Sequence, residues 1–163
     1  MAGRSVAPMS TDFDFLHGEW TVHHRRLRDT SAPDGQDWIE FDAVGECFPV
    51  LAGGNVDRLH VTDSPLGAFE GLTLRLWSPD EGVWRIWWSS DRAPGVLDEP
   101  VVGRFVGGRG VFEATQRIHD EDVLVRFERL TADASSPRWR QSFSSDGGAT
   151  WRLNWEMDFE RRG

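Results

Sequence analysis

The chain has 163 residues, 39% of them hydrophobic and 28% charged, which is typical of one globular domain with a sizeable core. Its 27 acidic residues outnumber its 18 basic residues, all of them arginine, and the net charge of -9 argues against a nucleic-acid-binding surface. The lack of lysine excludes Schiff-base and P-loop chemistry, and the single cysteine, Cys47, excludes an internal disulfide and a cysteine-based zinc site.

The cellular location is predicted from what the sequence lacks. No apolar run is long enough to span a membrane as a helix, and the first residues lack the apolar core of a signal peptide. Together with the single cysteine, these features predict a cytoplasmic protein.

The N-terminal part is predicted to be a tail followed by a short helical turn. Residues 1–11 are expected to form a flexible tail, and residues 12–163 a single domain. Within residues 12–17, Asp12 is expected to cap a turn of helix whose apolar side chains, Phe13, Phe15 and Leu16, pack inward.

From Gly18 onward, apolar residues recur with period 2 and turn residues interrupt them, which predicts strands. Pro49 is expected to end the second strand. The ten predicted strands span about 19–28, 38–48, 55–62, 70–77, 83–90, 100–106, 111–118, 123–131, 138–144 and 150–160.

The connections predict how these strands are arranged. They are short, which favours antiparallel neighbours. Ten strands in an open sheet would leave two unpaired edges, so we predict an all-β protein: a closed antiparallel meander barrel with room inside for a small ligand. A two-sheet sandwich is the alternative, but it normally requires long crossovers.

Two segments resemble a known group of proteins. Phe13-x-Phe15-Leu16-x-Gly18-x-Trp20 is similar to the start of lipocalin-like (calycin) barrels, in which the tryptophan of Gly-x-Trp plugs the closed end. Ser144-x-Asp146-Gly147-Gly148-x-Thr150-Trp151, with the tryptophan-rich stretch from Gly71 to Trp88, resembles a bacterial family of lipocalin-like domains of unknown function. This resemblance implies a barrel and a cavity, but no particular reaction. The Asp146 block also suits a tight hairpin.

Cofactors and metals are not expected. Haem barrels that bind nitric oxide share this general architecture and need an axial histidine near the C-terminus. The last histidine here is His119, so we expect no haem and no other cofactor. The acidic turn at residues 119–122 is read as a solvated hairpin, and no metal site is predicted.

The apolar phase of each strand predicts which side chains face the barrel interior. On this reading the fourth strand points its leucines inward. The predicted interior set is Trp20, Val22, His24, Ile39, Phe41, Ala43, Cys47, Leu59, Val61, Leu72, Leu74, Leu76, Trp84, Ile86, Trp88, Phe112, Ala114, Gln116, Ile118, Val123, Val125, Phe127, Trp139, Gln141, Phe143, Trp151, Leu153, Trp155, Met157 and Phe159.

Polar residues in this apolar phase are the candidates for chemistry, because a buried polar group needs a partner. They are His24, Asn55, Asp57, Gln116 and Gln141. His24 and Asp57 would form a catalytic base oriented by a carboxylate if the barrel brings them together across its lumen. The alternative is structural: the glutamines bond to each other or to backbone, and Asp57 caps a turn.

Ligand contacts and a protein interface are predicted from the remaining residues. Arg26 is expected near the mouth, where it would pair with a ligand carboxylate, and Trp88 and Trp155 would stack on the ligand. Three tryptophans fall in the outward phase and predict a homodimer through the barrel wall: Trp38, Trp77 and Trp87.

The sequence therefore predicts binding of a small apolar or aromatic organic molecule in an internal cavity lined by Trp and Phe. The alternative is a cofactor-free isomerase or cyclase that uses the same cavity for acid–base chemistry on a folded substrate. The predicted partner is the small molecule, with no nucleic acid and no membrane.

Overall fold

The computed structural model describes residues 9–32, 34–130 and 135–163. Ten strands form one closed antiparallel barrel, which confirms the predicted all-β architecture. The strands are β1 (Gly18–Leu27), β2 (Trp38–Val50), β3 (Gly54–Val61), β4 (Phe69–Ser78), β5 (Val83–Ser90), β6 (Val101–Val106), β7 (Arg109–Ile118), β8 (Glu121–Leu130), β9 (Arg138–Ser144) and β10 (Arg152–Arg161).

Each strand pairs with its neighbours in sequence, and β1 also pairs with β10 to close the barrel. Every strand end lies within two residues of its prediction. The second strand does not stop at Pro49, because Pro49 lies opposite Asn55 near the end of the β2–β3 ladder, where a missing N–H is tolerated. Residues 1–8 of the predicted tail lie outside the described residues. In the described part of the chain, no helix has the length and apolar character needed to cross a membrane.

A 3₁₀ turn at Asp14–Leu16 precedes β1 and closes one end of the barrel. Phe13 and Leu16 are buried as predicted. The predicted cap is wrong, because the turn has no side-chain cap and the Asp12 carboxylate instead accepts a hydrogen bond from Trp84 Nε1 at 3.1 Å. Trp20 Nε1 donates to the Leu16 carbonyl at 2.7 Å, which fixes the turn on the first strand.

The interior phase of β4 is the reverse of the prediction. Leu72 is 36% exposed, whereas the alternate residues Thr73 and Arg75 are buried, so the β4 leucines do not face the interior. The outward Leu74 lies between Val56 of β3 and Trp87 of β5 in the ladder. Apolar cross-strand neighbours on the outer face explain how a regular leucine alternation comes to lie outside.

Because the phase of β4 is reversed, Trp77, which was predicted to point outward, packs against an interior residue. Trp77 lies opposite the buried Trp84 and packs against it, with ring centroids 5.5 Å apart. Trp38 remains outside, under the Arg25 guanidinium at 4.0 Å. Trp87 also remains in the outward phase, so the predicted outer surface retains two of its three tryptophans.

Candidate functional site: an aromatic cavity with buried arginines

The barrel encloses a cavity of about 310 Å³. This volume is at the lower end of the range of roughly 300–1,000 Å³ for small-molecule sites. Phe13, Leu16 and Trp20 lie at the closed end, and Thr30, Ser31 and Asp98 lie at the opposite end, among the loops. Five of the predicted site residues line the cavity: Asp57, Trp88, Gln116, Gln141 and Trp155.

Aromatic rings form one continuous wall of this cavity. Trp155 meets Trp88 edge-to-face with centroids 6.2 Å apart, and it meets Trp139 in the same way at 5.6 Å. Phe127 adds a further edge-to-face contact with Trp139 at 5.0 Å. Mutually perpendicular rings fix one another and present a rigid apolar surface.

Gly71 of β4 provides the space for the Trp88 ring. A Cβ at position 71 would overlap the far edge of the Trp88 indole. The residue is glycine because the ring lies directly against the strand backbone. This contact fixes how far Trp88 extends into the cavity.

His24 is completely buried and lies behind the tryptophan wall rather than in the cavity lining. Its Nδ1 accepts a hydrogen bond from Trp155 Nε1 at 3.1 Å, and its ring stacks on Phe41 with centroids 4.6 Å apart. Because Nδ1 is an acceptor, the proton of the neutral ring is on Nε2. Burial, reinforced by the charge of Arg26, lowers the pKa of His24 to about 3. The imidazole is therefore neutral at pH 7 and positions Trp155.

Asp57 contacts an arginine that the sequence analysis did not single out. Its carboxylate pairs with Arg75 Nη2 at 2.5 Å, and Asn55 Oδ1 accepts from Arg75 Nη1 at 2.8 Å. Asn55 Oδ1 also lies 3.7 Å from the Cys47 thiol, whose pKa burial raises to about 11. The structure thus brings together Asn55 and Asp57 around Arg75 near the closed end. The catalytic role of His24 with Asp57 stays a prediction, and none of these contacts joins the two residues.

A second buried arginine, Arg129 of β8, lines the same end of the cavity. It is 3% exposed, and its guanidinium lies 4.7 Å from the centroid of the Phe159 ring. Burial and the charge of Arg75 lower the pKa of Arg129 to about 9. Two arginines therefore lie close together at this end of the cavity. Two carboxylates of the described lining lie in the same region: Asp57, which pairs with Arg75, and Glu46, which pairs with Arg58 at 3.3 Å.

Arg26 lies towards the open end, on the face of Trp155. Its guanidinium is 4.4 Å from the centroid of the Trp155 ring, and Nε donates to the Leu27 carbonyl at 3.0 Å. Burial, with a contribution from Arg92, lowers the pKa of Arg26 to about 10. Arg26 is not among the cavity-lining residues, so its predicted contact with a ligand stays a prediction.

The two predicted glutamines are separate from each other. Gln141 Nε2 donates to Asn154 Oδ1 at 3.0 Å, and Asn154 Nδ2 donates to the Thr30 carbonyl at 3.3 Å. A register shift between Leu153 and Trp155 turns Asn154 into the interior. The Gln141 amide thus donates to a side chain that was not predicted as its partner, and Gln141 still lines the cavity, so its contact with a ligand stays a prediction. The bulge also explains why Leu153 is only half-buried.

The Asp146 block forms the hairpin between β9 and β10. Asp146 accepts hydrogen bonds from the backbone and the hydroxyl of Thr150, at 2.9 and 2.5 Å, and from the Ser144 hydroxyl at 2.8 Å. These bonds, led by the Thr150 hydroxyl, lower the pKa of Asp146 to about 2. Gly147 and Gly148 adopt φ values of 69° and 94°. The block specifies a turn.

Of the buried polar residues that the sequence pattern did not predict, three bear on the site: Arg75, Arg129 and Asn154. Arg75 belongs to the reversed phase of β4, and Asn154 is turned inward by a bulge, neither of which alternation reveals. Arg129 carried a signal, because it continues the inward phase of Val123, Val125 and Phe127 by one step. Among residues 9–32, 34–130 and 135–163, no group of three or more His, Cys, Asp or Glu side chains is arranged to hold a metal.

Comparison with known proteins shows the fold alone. No family model matches the sequence, and no curated protein does. Among solved structures, the chain is similar to the crystal structure of Rv2717c from M. tuberculosis, with a TM-score of 0.60 and 12% sequence identity over 96% of this chain and 100% of that one. The chain thus has a barrel that an experimentally solved protein shares over its full length.

Proposed function

We propose that this protein is a lipocalin-like barrel that binds a small, largely apolar or aromatic organic molecule in its interior. The observation that carries the proposal is the aromatic wall of Trp88, Trp139 and Trp155 around a cavity of about 310 Å³. A flat organic ring placed against this wall would bury apolar surface at little ordering cost, because the wall is already rigid.

The lipocalin-like assignment is supported by the closed end of the barrel. Gly18 and Trp20 begin β1 as the resemblance implies, and Trp20 is buried beneath the N-terminal turn. Arg161 holds this arrangement: its guanidinium lies 4.2 Å from the Trp20 ring centroid and donates to the carbonyls of His17 and Phe15 at 2.8 and 2.9 Å. Because this end of the barrel is closed, we expect a ligand to enter the cavity through the opposite end.

The test is calorimetric titration with methyl 2-naphthoate, a neutral bicyclic aromatic probe. The wild-type protein should bind the probe saturably, and binding should show a negative heat-capacity change because apolar surface is buried. Replacing Trp88 by Leu should weaken binding at least fivefold, since the substitution removes one side of the aromatic wall.

The chain offers a matched control one residue away. Trp87 precedes Trp88 on β5 but lies on the outer face of the barrel, opposite Leu74. Trp87→Leu removes the same indole and should leave the affinity within twofold of the wild type. Equal weakening by both variants, or no saturable binding to the wild type, would overturn the proposed function.

A further inference from the structure

The Arg129 side chain has unused hydrogen-bonding capacity inside the cavity. Its Nε and Nη1 atoms are buried, and neither has a hydrogen-bond partner among the described residues. Three other arginine Nε atoms also lack hydrogen bonds among the described residues. Those of Arg58 and Arg140 face glutamate carboxylates at 3.3 and 3.0 Å, and Arg152 does not line the cavity. No ion pair of that kind involves Arg129 in the described part of the chain. A buried guanidinium without an anion is costly, so the site is incomplete as it stands.

The neighbouring groups are committed to other partners. The Asp57 carboxylate is bound to Arg75, and the Asn55 carbonyl accepts from the same arginine. The Cys47 thiol is neutral at pH 7, since burial raises its pKa to about 11. Glu46 and Arg58, which also belong to the lining, pair with each other at 3.3 Å and add no net charge. Arg75, Arg129 and Asp57 therefore leave an excess of one positive charge at this end of the cavity.

We propose that the closed end of the cavity binds the carboxylate of the ligand, with Arg129 as its main hydrogen-bond donor and Arg75 as a second positive charge. This inference rests on the proposed function and names the ligand class: an aromatic or apolar monocarboxylic acid. The acid group points towards the plug of Phe13 and Trp20, and the apolar body lies along Trp88 and Trp155.

The size of the charge excess favours a carboxylate over a phosphate monoester. A carboxylate carries one negative charge at pH 7, which balances the excess of one positive charge. A phosphate monoester carries between about 1.5 and 2 negative charges, and the surplus would have to be buried. Hydrogen bonds between a guanidinium and a carboxylate are roughly twice as strong as neutral ones, and buried, aromatic surroundings strengthen them.

The experiment compares 2-naphthoate with its methyl ester by calorimetry at pH 7.5. The wild-type protein should bind the acid at least tenfold more tightly than the ester. Arg129→Met should reduce this preference to less than twofold while ester binding persists. Arg104→Met removes the same charge from an exposed position on β6 and should keep the full preference.

Measurements on the ligand-free protein separate a binding role from a structural one. If Arg129 is an anion receptor, Arg129→Met removes an unpaired buried charge and should leave the melting temperature equal to or above that of the wild type. Arg129→Lys keeps the charge but loses the planar array of donors, and should retain a reduced preference for the acid. A large fall in the melting temperature of both variants would overturn the proposal.

A spectroscopic readout uses the wild-type protein alone. Addition of 2-naphthoate should shift the Arg129 Nε–H resonance in a ¹H–¹⁵N spectrum, and the ester should not. If the ester binds and the acid gains no advantage, the carboxylate site is refuted while the proposed function survives. If neither probe binds, both proposals fail.

Discussion

His24 is predicted to make the fold sensitive to acid. Its folded pKa of about 3 lies well below the unfolded value of 6.5, because the ring is buried and Arg26 and His23 are nearby; Asp42 acts weakly in the opposite direction. Because the folded pKa is lowered, the unfolded chain takes up a proton between pH 6.5 and pH 3 that the folded chain cannot. Stability is therefore full above pH 6.5 and declines as the pH falls towards 3.

The magnitude follows from the two pKa values. Each pKa unit corresponds to about 1.4 kcal/mol, so at pH 4.5, two units below the unfolded pKa, His24 lowers the free energy of unfolding by about 3 kcal/mol. The free energy of unfolding of a typical domain is about 5–15 kcal/mol, so a loss of about 3 kcal/mol is large.

The assay is urea denaturation of the wild type and His24→Gln at pH 7.5 and pH 4.5. Glutamine retains an acceptor for Trp155 Nε1 but does not titrate, so the variant should lose about 3 kcal/mol less than the wild type over this interval. His23 should change stability in the opposite direction. Hydrogen bonds between its ring and Glu40 and Asp42 raise its pKa, so it stabilises the fold below pH 6.5, and this stabilisation is lost as the pH rises through the folded pKa. Equal losses for the wild type and His24→Gln would show that protonation of His24 does not cause the loss of stability in acid.

Three further substitutions test the site and its supports. Gly71→Ala should displace the Trp88 ring and weaken binding of methyl 2-naphthoate severalfold in calorimetry, because the added Cβ overlaps the indole; unchanged affinity would contradict this packing. Asn154→Ala leaves the buried Gln141 amide without its acceptor, and urea denaturation should show a loss of about 1–3 kcal/mol. Asp146→Ala should lower the melting temperature at pH 7, because the ionised Asp146 carboxylate accepts the hydrogen bonds of the turn. These bonds lower the pKa of Asp146 to about 2, so the difference in melting temperature from the wild type should shrink as the pH falls from 3.8 towards 2.

The fold could be predicted from the sequence because its main signals are local. Alternation with period 2 and short turns determine strand number and direction, and closure follows from the need to remove two sheet edges. The phase of β4 could not be predicted, because alternating leucines lie equally well on an outer face that has apolar neighbours on β3 and β5.

The sequence predicts which side chains line the cavity better than it predicts the contacts of the polar ones. Trp88 and Trp155 line the cavity as predicted, since their phase follows from their strands. The polar contacts form between strands: Asp57 of β3 meets Arg75 of the adjacent β4, and His24 of β1 meets Trp155 across the β1–β10 seam. The alternation of apolar and polar residues along one strand does not reveal which side chains of two strands will meet.

A crystal structure of the protein with 2-naphthoate would show whether the barrel interior binds an aromatic acid. We expect the naphthalene ring against Trp88 and Trp155, with its carboxylate within hydrogen-bond distance of Arg129. A ligand found only on the outer face, or inside the barrel with its carboxylate directed towards Thr30 and Asp98, would contradict this expectation.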